Sequence, residues 1–299
     1  MRAVLQLLLV VLASPLLLGV INKTKALMAG RVGPPVLQSY WDIAKLLRKG
    51  SVISETTTWV FLLGPAVALV VPLLASLMLP LAGPEAPIAF TGDLIVFVYL
   101  FALARFCTTA AALDTGSAFE GMGAARELTF AALAEPALFF GFLALARVSG
   151  GLSLTSFMTM DGGHWRRASA AMVLVIASWF IVLLVENSRV PFDDPNTHLE
   201  LTMIHEVMVL DHSGPAFGMI LWGAAMKLFV YSALIVGVIL PASGSVLVDL
   251  SAILGGVLVL GVAIGLVESG MARLRLVRVP QLLITASLVA GFAVVLVLR

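Results

Sequence analysis

Charged residues are scarce in this chain. Only 12% of its 299 residues are Asp, Glu, Lys or Arg, against about 25% in a soluble globular domain. Hydrophobic residues make up 61%. That balance excludes a water-soluble fold and marks a membrane protein. Cysteine is scarcer still. The single Cys107 excludes an intramolecular disulfide, and equally an iron–sulfur or cysteine-rich zinc site built by this chain alone. Any redox cofactor must then sit on a partner. The formal net charge of +1 argues against nucleic-acid binding by bulk electrostatics.

Familiar catalytic patterns are missing too. Gly121-Met122-Gly123 lacks the third glycine and the strand context of a phosphate-binding loop. His198 and His205 stand seven residues apart with Glu206 beside the second, which is not the His-Glu-x-x-His spacing of a zinc protease. No Ser or Cys nucleophile has a base nearby in sequence. No catalytic residue and no metal site are therefore assigned to this chain. His164, in the run DGGHWRR, reads as a surface residue.

Long apolar runs are abundant. A membrane helix needs about 20 mostly apolar residues, and eight stretches qualify, at 3–21, 57–80, 91–113, 128–148, 169–187, 216–240, 246–267 and 279–298. Each must satisfy its own backbone hydrogen bonds in lipid, so the expected fold is an all-α bundle forming a single integral membrane domain. The first run resembles a signal peptide, with Ala13-Ser14-Pro15 as a cleavage-like site. Its apolar stretch nevertheless reaches Ile21 before a basic loop, as an uncleaved first helix does. Small residues within the spans, including Gly255, Gly256, Gly261 and Gly265, permit close helix contact.

Lys and Arg in the loops give the expected orientation. The loops after spans 1, 3, 5 and 7 hold 11 of them, among them Lys23, Lys25, Arg31, Lys45, Arg48 and Lys49; the opposite side holds 5. The richer side is expected to be cytoplasmic in a prokaryotic inner membrane, with both termini outside. On that side, residues 35–49 gather Val36, Tyr40, Ile43, Leu46 and Leu47 on one helical face, with Asp42, Lys45, Arg48 and Lys49 mostly elsewhere. This is the pattern of an amphipathic helix lying on the bilayer surface.

The densest polar stretch is 186–214, ENSRVPFDDPNTHLELTMIHEVMVLDHSG. It holds six of the chain's 17 acids (Glu186, Asp193, Asp194, Glu200, Glu206 and Asp211) and three of its four histidines. Such a loop is too long and too charged to be a simple connector. A few ionisable residues lie at membrane depth: Arg105, Glu135, Lys227, and Glu186 and Glu268 at span ends. Intramembrane charges face the bundle interior, and they either hold helices in register as ion pairs or line a proton path. An Arg105–Glu135 pair and a Lys227–acid pair are the expected structural version.

The segment GRVGPPVLQSYWDIAKLLRKG resembles the first loop of the complex I subunit 1 family, with Arg31-x-Gly33-Pro34, Gln38 and Asp42-x-x-Lys45-Leu46 in place. The stretch Glu186-x-x-Arg189-x-Pro191-Phe192-Asp193, followed by Glu200 and an acid before Ser213-Gly214, resembles that family's long acidic loop. Arg126 and Glu135 fit its fourth span. Asp193-Asp194-Pro195-Asn196-Thr197-His198-Leu199-Glu200-Leu201 and GAARELTFAALAEP are similar to the hydrogenase branch, that of formate hydrogenlyase and hydrogenase-4 membrane subunits. Quinone-reducing members have more acids at 195–198 and at 211–212.

The resemblance implies a subunit that anchors and couples. Its partners would be the large and small subunits of a NiFe hydrogenase, iron–sulfur proteins and antiporter-like membrane subunits, with the NiFe centre and the clusters carried by those partners. Proton transfer or coupling would fall to Glu135, Glu186, Glu200, Glu206, Asp211, Arg105 and Lys227. Arm docking would fall to Arg31, Asp42, Lys45, Arg189, Asp193 and Asp194. A quinone-binding complex I subunit, a structural anchor without proton transfer and a free-standing transporter are the competing readings.

Overall fold

A computed structural model describes residues 2–193, 203–240 and 242–298. Asp194, His198 and Glu200 lie outside the described residues. Eight helices are long and apolar enough to cross a membrane: α1 (Arg2–Met28), α3 (Trp59–Ser76), α4 (Asp93–Asp114), α5 (Ala118–Ser149), α8 (Ser169–Glu186), α9 (Gly214–Ile239), α10 (Val246–Gly270) and α11 (Val279–Leu298). Shorter helices are α2 (Gln38–Leu47), α6 (Leu154–Met158) and α7 (Gly162–Arg167), and Glu206–Val209 forms one 3₁₀ turn. No strand occurs among the described residues. The chain is a multi-pass, all-helical membrane protein.

Sequence and structure agree on the spans, with two instructive extensions. α1 continues to Met28 and α5 begins ten residues before the apolar run, at Ala118. Both extensions are polar and lie on the side of the acidic loop, where helix needs no lipid to bury against. α5 also runs on through Pro136, although the missing N–H leaves the Ala132 carbonyl without its usual intrahelical donor.

Capping explains several boundaries. Thr58 caps α3 by accepting from the Val60 N–H at 3.3 Å, while Asp114, at the end of α4, accepts from the Thr58 N–H and Oγ1 at 2.6 and 2.9 Å. The entry of one span is thus tied to the exit of the next. On the opposite face, buried Asp93 at the start of α4 accepts from the Leu154 N–H at 2.8 Å and so fixes α6.

α9 is the central helix and packs against α1, α2, α3, α8 and α10; α5, α8 and α11 form a second group. Close approach depends on glycine. A Cβ on Gly223 would lie 2.3 Å from the Ala68 carbonyl of α3, and one on Gly265 would lie 2.8 Å from Thr24 of α1. α2 lies across the ends of α1 and α9, burying Ile43 and leaving Trp41 exposed. The Tyr40 hydroxyl donates to the Leu12 carbonyl. Burial raises the Tyr40 phenol above its ordinary pKa, so the hydroxyl remains a donor at physiological pH.

Candidate functional site: a buried ion cluster beneath the acidic loop

Four spans deliver charge to one place. Arg105 of α4 lies 3.2 Å from Glu135 and 3.8 Å from Glu127, both of α5, and 2.6 Å from Glu186 at the end of α8. Lys227 of α9 sits 2.9 Å from the other Glu186 oxygen and donates to the Glu186 carbonyl at 2.5 Å. Its ammonium also lies about 6 Å from the rings of Phe101 and Tyr231, within cation–π range. The expected pairing of Arg105 with Glu135 is present, and the acid found by Lys227 is Glu186. The two pairs form one network rather than two.

The spacing that builds this is helical. Glu127 and Glu135 are eight residues apart, close to two turns of the same face, so α5 offers Arg105 a carboxylate above and below. The side chains of Arg105 and Glu186 are 8% and 4% exposed, whereas that of Glu135 is 35% exposed. The cluster therefore opens sideways at Glu135. It comprises three carboxylates and two cations, a formal surplus of one negative charge.

A second network begins three residues along the chain. Arg189 lies 3.4 Å from Glu268 of α10, Lys25 of α1 lies 2.8 Å from the same carboxylate, and Arg273 lies 3.0 Å from Asp193. Asp193 also accepts from the Ile204 and His205 N–H groups at 3.0 and 3.2 Å, so it pins the far end of the loop. This network holds three cations and two carboxylates, the opposite surplus. Arg189 and Asp193 were expected to face a docked arm. They are 7% and 1% exposed, and their charges are used inside the chain to build the loop.

The remaining loop acids separate. Glu206 opens the 3₁₀ turn and lines a cavity of about 210 Å³ with Asn22, Ser188, Arg189, Asp193 and His205. Asp211 is not in the cluster. It is exposed, and its N–H donates to buried Glu120 of α5 at 3.1 Å. Arg126 donates to the Met203 carbonyl at 2.9 Å, and Gly123 has no room for a Cβ, which would meet Val207 at 2.3 Å. α5 thus carries the underside of the loop. Arg31, Asp42 and Lys45 are all exposed beside α2, where Asp42 accepts from Gln38 at 2.8 Å.

Beside the loop's exit, the buried ring of His212 stacks on Phe61 at 3.9 Å and 14°, with Nε2 3.2 Å from the Phe61 carbonyl. Burial pushes the His212 pKa below its ordinary value, so the neutral ring donates there.

A charged network enclosed by spans and roofed by a loop that begins at Glu-x-x-Arg-x-Pro-Phe-Asp is the arrangement one family of membrane subunits would share, and a family comparison decides it. The model described as "NADH dehydrogenase" matches residues 1–299. The chain belongs to the NADH dehydrogenase family. Among curated members of this family, formate hydrogenlyase subunit 4 of Escherichia coli (strain K12) is 37% identical over 279 residues, covering 90% of this chain and 89% of that one. Hydrogenase-4 component C of the same organism is 33% identical, covering 80% and 75%. A membrane subunit of the NADH-quinone oxidoreductase of Chlorobium luteolum is 28% identical, covering 78% and 65%. The likeness is thus stronger to the two hydrogenase-named members, in line with the loop motifs. A chain in the structure of the membrane-bound sulfane sulfur reductase, an archaeal respiratory membrane complex, superposes with a TM-score of 0.86 over 99% of this chain and 98% of that one, at 22% identity. The family fold is therefore the one described above.

Several members of the two networks were invisible or muted in the sequence. Glu127 stood out only as part of the GAARELTFAALAEP resemblance, and Lys25 and Arg273 only as loop cations. The available signal was a carboxylate repeating eight residues before Glu135 on the same helix.

Proposed function

We propose that this chain is the membrane-anchoring and coupling subunit of a membrane-bound, formate hydrogenlyase-like NiFe hydrogenase complex. The likeness to formate hydrogenlyase subunit 4 and hydrogenase-4 component C supports the class of complex. In this reading the acidic-loop side faces the cytoplasm, as the loop cations suggest. The loop and α2 receive hydrogenase and iron–sulfur subunits, and exposed Arg31, Asp42 and Lys45 offer them polar contacts. Antiporter-like membrane subunits sit alongside in the bilayer. The NiFe centre and the clusters belong to the partners, and this chain contributes no catalytic group.

One observation carries the coupling role: two adjoining ion networks of opposite surplus, joined by the short segment from Glu186 to Asp193. Any shift of that segment moves Glu186 and Arg189 together. It changes how well Arg105 and Lys227 are balanced, and a proton taken up by a carboxylate of the first network offsets its surplus. Glu135, open at the side, is where such a proton leaves towards a neighbouring membrane subunit. A second reading has its own support, because every charge of the first network lies near an opposite one: the cluster only locks α4, α5, α8 and α9 together.

Glu135→Gln separates these readings. In inverted vesicles of the assembled complex, the coupling reading predicts fewer ions translocated per hydrogen evolved. An unchanged ratio supports the lock.

A further inference from the structure

We infer that His205 is the proton relay between the loop side of the protein and the buried ion cluster. This rests on the coupling reading above and names the step that supplies its proton. His205 lines two neighbouring cavities. One, about 210 Å³, is bounded by Arg189, Asp193 and Glu206 under the loop; the other, about 60 Å³, is bounded by Arg105, Glu127 and Lys227. Ile220 and Ala224 of α9 also line both, so the cavities abut along one wall, and His205 is the titratable side chain they share.

Each cavity exceeds the roughly 10–15 Å³ that one water requires, and both have polar walls. Beyond Glu127 a smaller pocket of about 10 Å³ reaches Glu186. Polar groups therefore succeed one another from the loop, past His205, to Glu127 and then Glu186.

The position of the ring is imposed by its backbone. The His205 N–H donates to Asp193 at 3.2 Å, and the carboxylate is itself held by Arg273. The His205 carbonyl accepts from the Met208 N–H at 3.0 Å, starting the 3₁₀ turn. The side chain is thus not needed to hold the loop. An imidazole is suited to the task because one ring nitrogen accepts a proton while the other releases one, with no net change once the tautomer resets. In the relay, water of the larger cavity gives a proton to one nitrogen. The other nitrogen releases its proton to water of the smaller cavity, which passes it to the Glu127 carboxylate.

The ionisable groups around the ring are Arg189, Asp193 and Glu206 on one side and Arg105, Glu127 and Lys227 on the other. Charges of both signs thus flank each station. Asp211, which the sequence suggested as a relay, is bound through its N–H to Glu120 and lines neither of the two cavities.

The test uses the whole complex in inverted vesicles and compares wild type, His205→Ala and Glu135→Gln. Protons taken up per hydrogen evolved are measured with and without imidazole, whose ring fits the space the alanine opens. His205→Ala is expected to lower that ratio by roughly 100-fold, the usual scale of a lost general acid–base group, and imidazole is expected to restore it at least tenfold. Imidazole should leave wild type and Glu135→Gln unchanged. An unaltered ratio in His205→Ala, or a lowered one that imidazole does not restore, overturns the relay. If Glu135→Gln lowers the ratio while His205→Ala does not, the relay alone fails. If wild type itself takes up no protons, the coupling reading fails with it.

Discussion

Arg105 is the residue on which the most charges converge, and its removal has a predictable cost. Three carboxylates lie within 3.8 Å of its guanidinium, and Glu186 beside it is almost fully enclosed. Deleting one partner of a buried ion pair destabilises by about 3–5 kcal/mol, because the other charge is left without compensation. Arg105→Ala should therefore lower the melting temperature of the detergent-solubilised protein markedly. Arg105→Lys, which keeps the charge but not the fork, should lie between it and wild type. A melting temperature equal to wild type for the alanine variant would mean that the network is not held as described.

His212 makes a separate prediction with a definite sign. Its folded pKa lies below the ordinary 6.5, so just below that pH the unfolded chain binds the extra proton and the folded chain does not. Stability then rises with pH through that window, is fully present above 6.5, and is lost as pH falls through it. Melting temperature measured against pH should show this acid-side loss in wild type. His212→Phe, which keeps a ring on Phe61 but cannot titrate, should flatten it. Parallel curves for the two proteins would contradict the assignment.

Among the elements, α9 and α3 approach as closely as their backbones allow at Gly223. A side chain there would meet the Ala68 carbonyl of α3, which cannot rotate aside as a side-chain tip can. Gly223→Val should thus cost at least the roughly 1–3 kcal/mol typical of overpacking. Gly255 offers an internal control, since nothing lies within 4 Å of its would-be Cβ. Gly255→Ala should be neutral or stabilising by up to about 1 kcal/mol, through helix propensity alone. Thermal denaturation of the two variants side by side checks both.

The same scale shows what sequence could and could not display. The spans were legible because lipid demands about 20 apolar residues in a row, and α2 because its apolar side chains repeat at the helical period. The N-terminal turns of α5 were not, because their partners are loop residues, Met203, Val207 and Asp211, rather than lipid. Arg105, Glu135, Glu186 and Lys227 could be named individually, as charges where none is cheap. Their meeting at one point could not, because nothing in local periodicity fixes how α4, α5, α8 and α9 are rotated. Arg189 and Asp193 were misjudged for the same reason. In the sequence they sit in a polar loop, while their fate depends on Glu268 and Arg273, some 80 residues further on.

Seen as a whole, the molecule is asymmetric across the bilayer. The loop-bearing side carries α2, both ion networks' open ends and most of the cations, whereas the far side carries short turns around α6 and α7. The proposed orientation predicts that Glu55→Cys, in the exposed segment before α3, labels only from the cytoplasmic side. Glu85→Cys, in the exposed turn after α3, should label only from the outside. Buried Cys107 is the sole native thiol and should stay silent in both. A membrane-impermeant maleimide applied to intact cells and to inverted vesicles reads this out, and the reverse pattern would turn the molecule over.

The central claim is that the Arg105–Glu186–Lys227 network couples the loop to ion movement, beyond joining four helices. It is tested most directly by Glu186→Gln in inverted vesicles of the assembled complex, measuring protons translocated per hydrogen evolved. Glutamine keeps the size and the hydrogen-bonding oxygen but cannot carry the charge or the proton. The account predicts that assembled complex is recovered and that the ratio falls to near zero. Assembled complex that retains the wild-type ratio would contradict it.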